Sequence, residues 1–125
     1  MARVRTILRR AHQGERFKIS YDRLLIDLEA REVYVGGAPV ELAAKEFDLL
    51  VCLASAPRIV LSRRRLLQSV WPDTSGWVSE STVTEHVYRL RNKIETDPRT
   101  PLWIRTVRGA GYRFQPPPHL GKGSA

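Results

Sequence analysis

Cysteine is nearly absent from the 125-residue sequence, which contains Cys52 alone and therefore no internal disulfide. Such a low count suits a reducing compartment, so we expect a cytoplasmic protein. Long apolar runs are missing too: residues 49–54, around Cys52, fall far short of the roughly 20 residues that span a membrane. Arginines interrupt any signal-peptide core near the N-terminus, namely Arg3, Arg5, Arg9 and Arg10. We predict no membrane contact and a Cys52 that is buried as a small hydrophobic residue.

Residues that carry catalysis and metal binding are also sparse. His12, His86 and His119 show no ligand spacing among themselves or with Cys52. No Gly-x-Ser-x-Gly motif occurs, and residues 109–111 form only half of a dinucleotide-binding pattern, which follows a strand without opening a helix. The sequence therefore predicts no enzyme, no cofactor and no metal site.

Acidic residues are outnumbered, with 13 against 21 Lys and Arg, which gives a net charge of +8 and a pI near 10.4. The imbalance is local. Residues 20–57 hold three basic and seven acidic side chains, whereas residues 58–115 hold eleven and five. A basic C-terminal half suits a polyanion, most simply nucleic acid, although an ordinary basic surface would show the same charge. Charge alone does not separate these two interpretations.

Alternating apolar residues predict a four-stranded antiparallel sheet in the N-terminal half, with turns at Ala30-Arg31 and Gly36-Gly37. The predicted strands are residues 17–19, 24–28, 32–35 and 40–42. Ahead of this sheet, residues 2–11 fit a basic amphipathic helix.

The apolar period then changes to 3.6 residues, which predicts three helices over residues 43–56, 63–71 and 81–95. Ser62 is the predicted N-cap of the second helix, and Thr82 and Glu85 have the spacing of a capping box in the third. A C-terminal β-hairpin is predicted from strands 102–107 and 112–115, followed by a disordered tail. The resulting fold class is α+β.

The third helix divides into two faces. Its apolar stripe predicts contact with the core through Val83, Val87, Leu90 and Ile94. The opposite face presents Ser81, Glu85, Tyr88, Arg89 and Asn92, whose side chains suit base edges and phosphates. A short basic helix precedes this element, and a hairpin carrying Arg105, Arg108 and Arg113 follows it. This order is typical of a winged helix-turn-helix that binds double-stranded DNA.

Several motifs make the resemblance more specific. The run IRTVRGAGYRF (residues 104–114) and RLRNKI (residues 89–94) resemble the wing and recognition helix of OmpR/PhoB-type response regulators. EFDLL (residues 46–50) resembles the first helix of that family, and Leu66, Leu67, Val70 and Trp71 resemble its second. The resemblance implies a domain over residues 16–115, a receiver-helix and linker remnant at 1–15, and a tail at 116–125. We expect a fragment of a longer regulator, with a natural receiverless protein as the alternative.

The resemblance also implies the DNA-contacting residues. They are Trp71, Thr82, Glu85, His86, Tyr88, Arg89 and Arg91 in the helices, and Thr106, Arg108 and Tyr112 in the wing, where Arg108 enters the minor groove. The loop before the third helix, with Asp73, Thr74, Gly76 and Trp77, matches a segment that touches RNA polymerase. Glu85 departs from the family, which has an apolar residue there, and we expect it to accept a hydrogen bond from cytosine. Ala43 replaces the usual threonine N-cap.

The family further implies head-to-tail dimers on direct-repeat operators and a cognate sensor kinase that acts through the receiver. Two other binding modes stay open at this stage. A single-strand or RNA-binding module would expose aromatics on a sheet, whereas Tyr34, Trp103 and Phe114 are predicted core residues. A winged helix that binds only protein would not need Arg89, Arg108 and a charged outer face together.

Overall fold

The computed structural model describes residues 17–72 and 78–117. Within them, the N-terminal strands are β1 (Lys18–Tyr21), β2 (Leu24–Asp27), β3 (Glu32–Val35) and β4 (Ala38–Val40). The helices are α1 (Ala44–Ala54), α2 (Arg63–Val70) and α3 (Glu80–Ile94), and the C-terminal strands are β5 (Val60–Leu61), β6 (Ile104–Val107) and β7 (Gly111–Phe114). The predicted helix over 2–11, the remnant at 1–15 and most of the predicted tail lie outside the described residues.

Strands β1 to β4 form the predicted antiparallel meander in chain order. The β3–β4 turn fixes its last hairpin, because Val35 pairs with Ala38 and leaves Gly36 and Gly37 as a two-residue loop. Both glycines have positive φ, at 62° and 85°, as a tight hairpin turn requires. This turn draws Ala38 into the sheet, so β4 covers 38–40 and the predicted 40–42 is wrong. Strand β1 likewise covers 18–21 instead of 17–19.

Helix α1 lies between this sheet and the other helices. Phe47, Leu50 and Ala54 are buried on one face of this helix, and Val51 beside them is half-buried. Leu49 and Leu53 are buried as well because neighbours pack on two sides. Ala43 is the N-cap, and the Glu46 side chain accepts a hydrogen bond from the Ala43 backbone N–H at 2.9 Å. The carboxylate satisfies one free N–H at the helix start, although Ala43 itself offers no cap oxygen.

The ends of α2 and α3 test the capping predictions. Ser62 caps α2 as predicted, with its Oγ accepting from the Arg65 N–H at 3.0 Å. The capping box in α3 is wrong, because the helix begins at Glu80 after Ser79 and Thr82 already lies in its first turn. The Thr82 N–H accordingly donates to the Ser79 carbonyl at 2.9 Å.

The wing is a three-stranded sheet in the order β5-β7-β6. The predicted hairpin is confirmed with shorter strands, and its turn is closed by the Ala110 N–H donating to the Val107 carbonyl at 2.9 Å. Strand β5 was not predicted, because two residues are too few to show a period. Pro116 is buried and Pro117 half-buried, so packed chain extends beyond the predicted boundary at residue 115.

The core lies between the helices and the two sheets. The predicted stripe of α3 is confirmed, since Val83, Val87, Leu90 and Ile94 are at most 2% exposed. Trp103 and Phe114 are buried as predicted and stack with ring centroids 5.8 Å apart. Two residues differ from expectation: Tyr34 is half-buried and donates to Glu32 Oε1 at 2.8 Å, and Cys52 is half-buried instead of fully buried.

Candidate nucleic-acid interface

The outer face of α3 is exposed along its length. Every residue predicted for it is exposed, from Ser81 through Glu85, Tyr88 and Arg89 to Asn92, and Tyr88 reaches 67% exposure. Arg89 Nη2 donates to Glu85 Oε2 at 2.7 Å, which forms an ion pair across one helical turn. Asn92 Nδ2 donates to the Tyr88 carbonyl at 2.9 Å. This face therefore presents a planar cation and an aromatic ring on an α-helix, which is an element that fits the major groove of DNA.

The flank of α3 that faces α2 holds predicted contact residues in partly buried positions. His86 Nδ1 lies 2.9 Å from the Thr82 carbonyl, which can only accept, so Nδ1 carries the proton in this contact. The His86 ring meets Trp71 edge-on, with centroids 4.8 Å apart. Trp71 is 7% exposed, whereas Thr82 and His86 are half-buried. The buried Trp71 side chain thus packs against His86 and supports this flank of α3.

Arg91 connects α3 to the wing. Its Nε and Nη2 donate to the Ile104 carbonyl at 3.1 and 2.8 Å, and Nη2 also donates to Thr106 Oγ1 at 2.8 Å. The guanidinium lies over the Tyr112 ring, 5.6 Å from its centroid. Burial lowers the pKa of Arg91, and the neighbouring Tyr112 and Glu95 oppose that effect. Arg91 and Tyr112 therefore have structural roles at the base of the wing, and their predicted DNA contacts stay predictions.

A buried carboxylate that the sequence reasoning missed completes this junction. Glu95, the C-cap of α3, is 7% exposed and accepts from the backbone N–H groups of Leu102, Trp103 and Ile104 at 2.7, 2.9 and 2.8 Å. The predicted helix end at Glu95 is therefore wrong by one residue, because its backbone is already extended there. In the sequence, the only sign that Glu95 accepts from buried backbone N–H groups is its position between a predicted helix and a predicted strand.

A second missed carboxylate joins α3 to α1. Glu46 is 3% exposed, and Lys93 Nζ donates to its Oε1 at 2.7 Å. Burial opposes ionisation of Glu46, but the hydrogen bonds from Lys93 and Ala43 and the nearby positive charge outweigh it and keep its pKa below the usual value. Glu46, Arg91 and Glu95 together fix α3 against α1 on one side and the wing on the other.

The wing turn presents exposed polar side chains beside this assembly. Arg108 and Thr106 are exposed, and so is Arg105 at its strand position in β6. At the start of α3, Arg63 and Arg64 of α2 lie 3.9 and 3.8 Å from Glu80. Positive side chains are therefore present both in the wing and near the first turn of α3. The predicted loop residues Asp73, Thr74, Gly76 and Trp77 lie outside the described residues.

In the part of the chain that the structure describes, no group of three or more His, Cys, Asp or Glu side chains could hold a metal ion. Across residues 17–72 and 78–117, every helix is too short or too polar to cross a membrane.

Comparison with known proteins agrees with this geometry. A family model described as "Transcriptional regulatory protein, C terminal" matches residues 37–114. The DNA-binding response regulator MtrA of Mycobacterium tuberculosis (strain ATCC 25618 / H37Rv) is 42% identical over 117 residues, which cover 94% of this chain and 51% of MtrA. The transcriptional regulatory protein AfsQ1 of Streptomyces coelicolor is 39% identical, covering 93% and 51%. The chain thus spans about half the length of the curated relatives it matches.

Solved structures give the same result. The response regulator DrrB of Thermotoga maritima, an OmpR/PhoB homolog, has a TM-score of 0.73 and 34% identity over 91% of this chain and 50% of DrrB. The DNA-binding domain of Klebsiella pneumoniae RstA, solved in complex with the RstA box, has a TM-score of 0.71 and 35% identity over 79% of this chain and 97% of that domain. The predicted resemblance is confirmed, and the chain belongs to the family of C-terminal domains of transcriptional regulatory proteins, of the OmpR/PhoB type.

Proposed function

We propose that this chain is the DNA-binding domain of a response regulator and binds double-stranded DNA sequence-specifically, with α3 in the major groove and the wing turn in a neighbouring minor groove. One observation carries the proposal: an exposed polar helix face and an arginine-tipped hairpin are fixed to each other through Arg91 and Glu95. A rigid pair of this kind can engage two grooves at once, because neither part moves independently.

The side chains have different parts in this proposal. Arg89 is placed to form a bidentate pair with guanine O6 and N7, which is the commonest base-specific contact in the major groove. Thr82 and Tyr88, on the same helix, contact bases or neighbouring phosphates. Thr106 and Arg108 act from the wing, where minor-groove readout depends on width and A·T content.

Two of the predicted DNA-contacting residues, Trp71 and Tyr112, act mainly by positioning other side chains. Trp71 and Tyr112 are 7% and 6% exposed, so little of either side chain is free to meet DNA. Trp71 supports His86, and Tyr112 lies beneath Arg91. We propose that His86 and Arg91 touch the phosphate backbone only through whatever hydrogen-bonding capacity their internal partners leave.

MtrA is named as a DNA-binding response regulator, and this chain spans about half its length. We therefore propose that it works behind a receiver domain that a sensor kinase phosphorylates, and that two copies bind a direct repeat head to tail. The loop with Asp73, Thr74, Gly76 and Trp77 is proposed as a contact for RNA polymerase. The cytoplasm is the proposed compartment, since it holds the DNA.

Competition binding tests the central proposal. A labelled duplex enriched from a random library by the wild-type chain is challenged with scrambled duplex, single-stranded DNA and single-stranded RNA of equal length. We expect the enriched duplex to compete best and both single strands to compete poorly. Stronger competition by a single strand would favour the RNA or single-strand alternative, and no enrichment at all would favour a protein-only winged helix.

A further inference from the structure

Arg89, the proposed base-reading residue, is not free on the surface of α3. Its Nη2 donates to Glu85 Oε2 at 2.7 Å, although both side chains are more than half exposed. Glu85 precedes Arg89 by four residues, which is the favourable order for a helical ion pair.

An exposed arginine has many rotamers, and binding must normally select one of them. A carboxylate one turn away restricts that choice before the ligand arrives. The guanidinium carries five N–H donors in a planar fork, and the contact with Glu85 occupies only one nitrogen, Nη2. The donors that remain are sufficient for the two acceptors of guanine, O6 and N7.

We propose that Glu85 determines specificity by acting through Arg89, holding its guanidinium in the orientation that reads guanine; this inference rests on the proposed function. On a correct site, Arg89 contacts guanine while it keeps Glu85 neutralised. On a wrong site, the guanidinium held by Glu85 meets no guanine, and a turn of Arg89 away from Glu85 toward a phosphate places an unpaired carboxylate beside the DNA backbone. The pair therefore both prepares the correct contact and penalises incorrect ones.

This assignment differs from direct reading of cytosine by Glu85. Direct reading uses a carboxylate oxygen of Glu85 to accept from the amino group of cytosine, whereas the contact seen in the structure joins Oε2 to Arg89. The two roles predict losses at different positions of the operator. Loss of positioning weakens the preference for the guanine under Arg89, and loss of direct contact weakens the preference at a separate base pair.

The test is a selection from a random duplex library with the wild-type chain, Glu85→Ala, Glu85→Gln and Arg89→Lys. Glu80→Ala is the matched control, because it removes one acid from the same helix without touching Arg89. Affinities for the enriched duplex, for its single-base variants and for a 7-deazaguanine version are then measured, and thermal unfolding checks each fold.

We expect Glu85→Ala to lower the preference for one guanine by about tenfold, the size of a bidentate contact, while binding to scrambled duplex becomes tighter. The preference shown by Glu85→Gln should lie between those of Glu85→Ala and the wild type. Arg89→Lys should lose the preference for the same guanine, and Glu80→Ala should keep it. A wild-type preference that survives in Glu85→Ala, or is lost only at a cytosine, overturns the inference and leaves the proposed function intact. A wild-type chain that enriches no motif overturns the proposed function itself.

Discussion

Arg89 and Arg108 carry the same charge in different surroundings. Arg89 lies on a helix whose opposite face is buried and is held by Glu85, whereas Arg108 lies in the exposed wing turn. A constrained guanidinium suits a base edge with two fixed acceptors. An arginine at a turn suits a groove that is recognised by its width and potential.

Single alanine substitutions should separate these roles. Arg89→Ala should cost about 1–3 kcal/mol on the enriched duplex and much less on a scrambled one, because only the former offers its guanine. Arg108→Ala should weaken both duplexes more evenly and reduce the slope of log K against log salt by about 1. Titrations at two salt concentrations measure both effects. Equal weakening of the two duplexes by Arg89→Ala would mean that α3 does not read sequence.

Gly111 is a second residue whose identity the structure explains. Its φ is 145°, and a Cβ placed there would overlap the Leu61 carbonyl oxygen and the Ser62 Cα. Gly109 also has a positive φ, at 77°, but nothing lies within 4 Å of its added Cβ. Gly111→Ala should therefore cost at least about 2 kcal/mol of unfolding free energy, and Gly109→Ala only about 1 kcal/mol of backbone strain. Urea unfolding of both variants measures this, and equal losses would mean that steric overlap does not matter.

Helix α3 is attached to its neighbours on several sides. Its buried stripe packs on the core, Lys93 joins it to α1 through Glu46, and Arg91 and Glu95 join it to the wing. Buried carboxylates with several donors hold elements in one relative position, since a lost partner leaves a costly unpaired group. The distance between the proposed major-groove and minor-groove contacts is thus set inside the protein.

Glu95→Gln tests the junction between α3 and the wing. The neutral amide accepts less strongly and turns an NH₂ group toward backbone donors, so we expect a loss of about 2–3 kcal/mol in unfolding free energy. Affinity for the enriched duplex should fall too, because the wing loses its anchor. Asp97→Asn is the control, since Asp97 accepts locally from the Arg99 N–H at 3.0 Å. If Glu95→Gln is no more harmful than Asp97→Asn, the carboxylate does not hold the wing.

The link between α1 and α3 should depend on pH. Because the pKa of Glu46 lies below its ordinary value of 4.5, its contribution to stability is present above pH 4.5 and is lost as pH falls through the folded-state pKa. Glu46→Gln should cost about 2 kcal/mol at pH 7, and the difference from wild type should shrink below pH 4.5. Urea unfolding at several pH values measures this difference, with exposed Glu41→Gln as the control. A pH-independent difference would contradict an ionised Glu46.

Elements long enough to repeat their apolar pattern several times were predictable from the sequence, whereas the contacts that join these elements were not. The stripe from Val83 to Ile94 repeats often enough to fix the buried face of α3, and the motif over residues 104–114 identified the family. Strand β5 has two residues and shows no period. Glu46 and Glu95 look like surface acids in the sequence, because their partners lie 47 and up to 9 positions away and only the fold brings them together.

At the scale of the whole molecule, charge is unevenly divided over residues 20–115. Residues 20–57 hold seven acidic and three basic side chains and form most of the N-terminal sheet and all of α1, whereas residues 58–115, with α2, α3 and the wing, hold eleven basic and five acidic side chains. This division orients the molecule toward a polyanion, since the acidic half is repelled by phosphates. It also places most cations that can displace counterions near the proposed interface.

Salt dependence should report how many of these cations meet phosphate. A domain that makes about five phosphate contacts releases counterions on binding, so log K against log salt should have a slope of about −4 to −5. Arg23→Ala, in the exposed turn between β1 and β2, should leave that slope unchanged, whereas Arg105→Ala should make it shallower. A slope near zero would rule out phosphate neutralisation as the source of affinity.

The isolated chain should sediment mostly as a monomer without DNA, since head-to-tail pairing is proposed to need the direct repeat. A tight dimer without DNA would contradict pairing that depends on the operator.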